Sequence, residues 1–199
     1  EPIPKDYAEQ AKRKFLGYAS IEESLAERFH MDIDLLKALN PGARYAVGEP
    51  VYVAAYGPDL KGEVARIEAD KSLRQVRAYD ADNRLIAAYP ATIGSEDNPS
   101  PSGTHIVEGV APMPEYTYNP KINFQQGDNT KVLTIPPGPN GPVGSMWIDL
   151  SEPTFGIHGT PEPSLIDKTA SHGCVRLTNW DANELAKMVK PGVPIDIVG

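Results

Sequence analysis

One cysteine and four histidines hold the reactive chemistry of this 199-residue chain. Cys174 lies in "ASHGCVRLTNWD" (170–181). His172 precedes it by two positions and His158 by sixteen. Three uses of such a set can be weighed. As metal ligands, His158, His172 and Cys174 make three donors. Closed zinc sites take four, with paired close spacings, and no second cysteine or acidic pair completes this set. His172 and Cys174 also chelate awkwardly across one residue of a tight turn, so no metal is expected, and no cofactor is called for. As an inert core thiol, Cys174 would have apolar neighbours. Its flanks are instead Ser171, His172, Gly173 and Arg176.

The nucleophile reading fits the local chemistry better. A thiol attacks as its thiolate and needs a base or cations beside it. His158 and His172 are both candidates for the base, and Arg176 adds positive charge. Gly173 permits close backbone approach to a substrate. A tight turn over 171–174 can aim successive N–H groups at one spot, as an oxyanion hole requires. Thr178 or Asn179 can cap a helix just beyond, whose first N–H groups add positive potential. These residues point to a cysteine acyltransferase or hydrolase, with the substrate and the identity of the base open. A His-paired thiolate predicts titration well below a free cysteine, so alkylation should level off near neutral pH.

The elements that must position these groups change character along the chain. Residues 21–30 place Leu25, Ala26 and Phe29 on one helical face, and 32–40 do the same with Ile33, Leu36 and Leu39. Asp32 or Asp34 can cap the second helix and "NPG" (40–42) stops it. "EPVYVAA" (49–55) alternates like a strand. Beyond "YGPDLKG" (56–62) the period becomes two. Strands are expected at 64–69, 74–80, 85–93, 103–110, 145–150, 155–159 and 193–198, with a hairpin turn at "ADN" (81–83). Many short strands between turns argue for a mainly β sandwich or barrel. Residues 178–190 form an amphipathic helix with Leu185, Met188 and Val189 inward. Residues 111–142, rich in proline, glycine and amides, read as a long loop that could serve as a lid over a cleft.

Composition narrows the partners. Hydrophobic residues make up 40% and charged residues 23%, a folded rather than a disordered balance. The net charge is −8 with no Lys/Arg cluster, which argues against nucleic acid and against a polybasic membrane anchor. No apolar run approaches a membrane span. The chain opens at Glu1 without a charged-then-apolar leader, so it reads as a mature or truncated form whose export signal would lie upstream. A lone cysteine excludes an internal disulfide framework and, in an exported protein, flags a reactive thiol.

"IHGT" (157–160) followed by "SHGCVRL" (171–177) resembles the signature of L,D-transpeptidases with a YkuD-type catalytic domain. That signature is a histidine–glycine pair, a short variable stretch, then Ser/Thr-His-Gly-Cys and an arginine two residues on. The likeness extends over 63–199 and includes "YPATIGSEDNPSPSGTHIV" (89–107), where His105 stands at an often aromatic position and is set apart from catalysis. The resemblance implies a mainly β, sandwich- or barrel-like catalytic domain with a C-terminal helix. It implies peptidoglycan stem peptides as substrate, in the periplasm or another extracytoplasmic compartment. Cys174 would attack the L,D bond between a diamino acid at position three and D-Ala at position four. D-Ala leaves, and an amine of another stem resolves the thioester into a 3→3 cross-link. Other members attach a lipoprotein lysine, exchange the terminal D-amino acid or use water.

By position in the motif, His158 is the implied base, with its ring oriented by the Gly159 carbonyl. His172, Gly173 and Cys174 supply the oxyanion N–H groups, and the His172 side chain helps shape the pocket. Ser171 supports the turn, and Arg176 either holds the loop or meets a substrate carboxylate. The lid over the donor site would be 111–142, with Tyr116 or Tyr118 in contact with substrate. A carbapenem is expected to add to the thiol, and the chain is expected to be a monomer.

"SLAERFHMDIDLLKALNPG…GEPVYV" resembles a second family, the LysM modules: small βααβ units that bind N-acetylglucosamine chains, which implies glycan strands as a further partner. The chain then divides into an N-terminal extension (1–17), a LysM-like module (18–56), a linker (57–62) and the catalytic domain (63–199). Two alternatives stay open: an L,D-carboxypeptidase using the same residues with water, and a non-catalytic cell-wall binding protein.

Overall fold

The computed structural model describes residues 2–95, 99–169 and 171–199. β1 (Arg66–Asp70) and β2 (Gln75–Tyr79) bury every second residue, Ile67, Ala69, Val76 and Ala78. This is the alternation of a sheet with one covered face. The expected hairpin turn leads into β3 (Leu85–Pro90), and in it Asn83 takes φ 60°, a left-handed conformation asparagine tolerates. The run 85–93 breaks at Ala91, whose N–H bonds the Arg74 carbonyl, before β4 (Thr92–Ile93). Pro90 is the last residue of the β2–β3 ladder, paired with Gln75 but without an N–H to donate to it.

β5 (Gly103–Pro112), β8 (Met146–Leu150), β9 (Gly156–His158), β10 (Val175–Arg176) and β11 (Pro194–Val198) complete a nine-stranded sheet in the order β3-β2-β1-β11-β5-β8-β9-β10-β4. One residue, Ala91, joins the two edge strands, so the sheet curls into a nearly closed barrel. Helix α4 (Asn179–Met188) is capped by Thr178, whose hydroxyl accepts from the Asp181 N–H. Its inward face, with Ala182 and Leu185 fully buried, packs over β8 and β9, in one core with Ile148 and Ile157. Burying a side chain the size of Leu185 contributes roughly 1.5–3 kcal/mol. The C-terminal helix and the mainly β domain are as the sequence predicts.

Two expectations need correction. Residues 111–142 are not one irregular loop: β6 (Tyr116–Tyr118) pairs with β7 (Leu133–Ile135) in a separate two-stranded sheet. Fully buried Tyr118 anchors it, accepting from the Gln126 N–H through its hydroxyl at 2.9 Å. The N-terminal region folds two helices, α2 (Ile21–Arg28) and α3 (Ile33–Leu39), capped by Ser20 and by Asp32. No strand flanks them among the described residues, so the βααβ arrangement of a LysM module is absent.

The reason lies in Leu16 and Asn40. Leu16, in the segment that would supply the first strand, is fully buried and exchanges backbone hydrogen bonds with Pro137 and Asn140 of the large domain. Residues 49–55 are left without a strand partner. They are held instead by Asn40, whose side chain both donates to and accepts from the Tyr52 backbone. A short helix, α1 (Tyr7–Gln10), forms in the stretch read as an extension. The stretch read as a linker, 57–62, lies along α4 through Leu60 N–H to Glu184 Oε2 at 2.8 Å.

Candidate active site

The site is a row of side chains on one face of three neighbouring strands. His158 on β9 is the register partner of both Trp147 on β8 and Arg176 on β10. Register partners share a face, as do residues two apart along a strand. Cys174, in the bend that leads into β10, lines the same cavity as Arg176, His158 and Trp147, with the Gly156 backbone beside its thiol. Gly156 has to be glycine: a Cβ there would stand 2.5 Å from Cζ2 of Trp147, whose indole fills the space. The face opens into a cavity of about 250 Å³ that Cys174, His158, His172, Arg176 and Trp147 all line.

His158 is 5% exposed, and its Nδ1 lies 2.6 Å from the Gly159 carbonyl oxygen. A carbonyl only accepts, so Nδ1 carries the proton and donates, and Nε2 keeps its lone pair. Burial and then the Arg176 charge push the imidazole down to about 4, so it is neutral at neutral pH. Its ring stacks on Trp147, with centroids 5.6 Å apart. The turn that carries Gly159 is locked by Asn179. Asn179 Oδ1 accepts from Ser145 N–H at 3.0 Å and Thr160 N–H at 3.1 Å, and its Nδ2 donates to Glu27 Oε1 and the Pro139 carbonyl, each at 3.1 Å.

The cysteine turn is fixed by its serines. Ser171 Oγ donates to the Cys174 carbonyl at 2.6 Å, and Ser100 Oγ donates to the Gly173 carbonyl. Gly173 takes φ 110°, a conformation L side chains rarely adopt. Among the described residues, the N–H groups of His172, Gly173 and Cys174 donate to no acceptor. Successive free donors on a tight turn are the arrangement from which anion-binding nests are built. The exposed His172 ring stacks on Phe124, centroids 3.8 Å apart.

Cys174 is a free, half-buried thiol whose Sγ lies 3.8 Å from the Thr154 carbonyl. Burial raises its pKa, against smaller downward pulls from the Gly156 backbone and Arg176. The expected low-pKa thiolate is thus corrected: with a depressed imidazole and an elevated thiol, both are neutral at rest.

Of the aromatics expected to meet substrate, Tyr116 lines the cavity and is half-buried. Tyr118 does not reach it; it is fully enclosed under the hairpin, a correction that follows from its anchoring role. Trp147 and Tyr7 were not singled out from the sequence, and Asn179 was read only as a candidate helix cap, not as the residue that holds the Gly159 turn. Trp147 was within reach, because it alternates with buried Ile148 and so had to face the other side. Tyr7 gave no signal.

Among the described residues no cluster of three or more His, Cys, Asp or Glu is placed to hold a metal, and no helix is long and apolar enough to cross a membrane.

Residues 64–197 match the YkuD family, described as the L,D-transpeptidase catalytic domain. The chain is 31% identical over 179 residues to the putative L,D-transpeptidase YkuD of Bacillus licheniformis, spanning 88% of this chain and 92% of that one. An L,D-transpeptidase from Mycobacterium smegmatis superposes with a TM-score of 0.54 at 22% identity, over 68% of this chain and 58% of that chain. L,D-transpeptidase 3 from Mycobacterium tuberculosis, in complex with a faropenem-derived adduct, superposes with a TM-score of 0.53 at 16% identity, over 72% of this chain and 61% of that chain. At these identities the two solved structures bear on fold alone, and this chain spans about three fifths of each.

Proposed function

The chain belongs to the L,D-transpeptidase family with a YkuD-type catalytic domain, and from that premise we propose that it transfers peptidoglycan stem tetrapeptides through a thioester on Cys174, in the periplasm or another extracytoplasmic space. What carries this reading is one arrangement: Cys174 and His158 line one cavity, with His158 turned by Gly159 so that Nε2 is its basic nitrogen.

The steps follow from the atoms in place. Nε2 of His158 takes the thiol proton as Sγ attacks the carbonyl carbon of the L,D bond. The oxyanion is received by the N–H groups of His172, Gly173 and Cys174. Collapse breaks the C–N bond, and the leaving D-Ala amine takes the proton from Nε2. An acceptor amine then gives a proton to Nε2, attacks the thioester and releases the thiol. A second stem amine gives a 3→3 cross-link, and a lipoprotein lysine would react in the same way. The monomer suffices, since one chain supplies every group. The helical unit lacks the strand pair of a LysM module, and no glycan-binding role is proposed for it.

The test is incubation with purified disaccharide-tetrapeptide, followed by mass spectrometry of products and protein. Cross-linked dimers and a tripeptidyl adduct on Cys174, both lost in Cys174→Ala, are expected. Tripeptide without dimers would assign a carboxypeptidase instead. Intact tetrapeptide with an unmodified thiol would overturn the catalytic reading.

A further inference from the structure

The N-terminal arm, residues 2–13, lies outside the motif, yet Tyr7 lines the thiol's cavity. Its ring packs edge-on against Tyr116, Tyr118 and Phe124, with centroids 6.0, 5.3 and 6.1 Å away. Phe124 is the ring that stacks on His172. Polar ties hold the arm there: Tyr7 N–H to Gln126 Oε1 at 3.2 Å, Gln126 Nε2 to the Lys5 carbonyl at 2.9 Å, and Asn129 Nδ2 to Asp6 Oδ1 at 2.8 Å. Farther along, Leu16 fits so closely over Gly138 that a Cβ there would stand 2.2 Å from the Leu16 carbonyl oxygen. The arm is built into the site rather than draped over it.

A second cavity, about 500 Å³, runs between the arm and α2. It meets the first at Tyr7, Pro142 and Arg176. Arg176 is the cation at that junction. It is half-buried and, among the described residues, makes neither an ion pair nor a side-chain hydrogen bond. Glu162 acts on it only from a distance, and Tyr7 and Cys174 are its other electrostatic neighbours. A partly desolvated guanidinium without a partner is unfavourable, and its planar fork matches a carboxylate.

We propose that Arg176 and Tyr7 form a carboxylate-binding subsite beside Cys174, the guanidinium holding a peptide carboxylate and the Tyr7 hydroxyl donating to it. The N-terminal arm is then part of the substrate site and selects peptides that end in, or carry, a free carboxylate. This rests on the reading of Cys174 as a nucleophile toward stem peptides, which carry such groups.

The test uses two alkylating reagents that differ by a carboxylate, iodoacetate and iodoacetamide, on the full chain. Its single cysteine makes the product unambiguous. The ratio of their second-order rate constants cancels the thiolate fraction, which both reagents share. Relative to a small free thiol at the same pH and salt, the ratio should be raised about tenfold. Arg176→Gln should return it to the free-thiol value or below, and Tyr7→Phe should lower it about threefold. A wild-type ratio no higher than the free thiol's, or one that Arg176→Gln leaves in place, overturns the subsite. A ratio insensitive to Tyr7→Phe overturns the arm's part in it. If Arg176→Gln fails to fold, Tyr7→Phe decides. Because no peptide is turned over, inert stem peptides with an Arg176-dependent ratio would fail the catalytic reading and leave this one standing.

Discussion

The indole of Trp147 lies almost parallel to the imidazole of His158, with planes 14° apart and centroids 5.6 Å apart. The contact is a consequence of register, since the two are partners across β8 and β9. Asp149, two residues along the same face, accepts from the indole Nε1–H at 3.0 Å and fixes the ring. His158 is thus held between a stacked ring on one side and the Gly159 carbonyl at Nδ1.

That clamp makes Trp147 the positioning residue for His158 in its proposed role as base. Trp147→Leu keeps an apolar side chain but removes the stacked plane. We expect kcat on stem tetrapeptide to fall by about 10- to 100-fold, since misplacing a base costs rate steeply. KM should move much less, and Trp147→Phe should recover most of the loss. Steady-state kinetics on the three proteins decides; an unchanged kcat in Trp147→Leu removes the clamp from the mechanism.

The pH behaviour should be that of a neutral pair. Burial holds His158 at about 4 and raises Cys174, so alkylation by iodoacetamide should keep climbing past the free-thiol value of about 8.5. A plateau at neutral pH would mean an ion pair instead. Acyl transfer should show an acid limb near 4, where Nε2 gains a proton. The same depression affects stability. The unfolded histidine titrates near 6.5, so between 6.5 and 4 the unfolded chain binds more protons. His158 contributes its full stability above 6.5 and loses it as the pH falls toward 4, by ~3 kcal/mol in all. Denaturation midpoints across that window measure it.

Gly159 supports the same ring from below. A Cβ there would stand 2.2 Å from Asn179 Oδ1, the atom that accepts from Ser145 and Thr160. Gly159→Ala should therefore cost about 2–4 kcal/mol and lower activity with it, through overpacking and stranded N–H groups. Gly109, in the same sheet with nothing within 4 Å of an added methyl, is the control; Gly109→Ala should stay within about 0.5 kcal/mol. Equal melting temperatures for the two variants would refute the argument.

How much of this was legible in the sequence depends on range. Strand alternation placed β1, β2 and β11 because burial on one face repeats every two residues. The thiol and the two histidines stood out by type and spacing alone. Their protonation states did not, because the depressed His158 and raised Cys174 come from enclosure by distant residues such as Trp147 and Tyr116. The helices α2 and α3 announced themselves through Ser20, Asp32 and their apolar spacing. Whether they were flanked by strands was settled about 120 residues away, where Pro137 and Asn140 claim Leu16. Tyr7 reaches the site by the same kind of long-range contact, which no local pattern encodes.

The helical unit is joined to the catalytic turn by a buried carboxylate. Glu27 of α2, 8% exposed, accepts from Asn179 Nδ2 at 3.1 Å. Burial pushes it up to about 7; the Asn179 hydrogen bond opposes this and Glu23 adds to it. A carboxylate raised in the folded state contributes stability that is complete below the unfolded value of 4.5 and is lost as the pH rises through 7. Above that, folding has to enclose a charge, at ~3 kcal/mol relative to acid pH. Glu27→Gln retains the acceptor oxygen and removes the charge. Its melting temperature should exceed that of the native chain by about 5–10 °C at pH 8, and the advantage should vanish below pH 4.5. Glu27→Ala leaves Asn179 Nδ2 without its carboxylate partner and should be the less stable of the two variants at both pH values. Calorimetry at the two pH values separates these cases: a Gln advantage of the same size at both would mean that the charge of Glu27 has no part in the coupling.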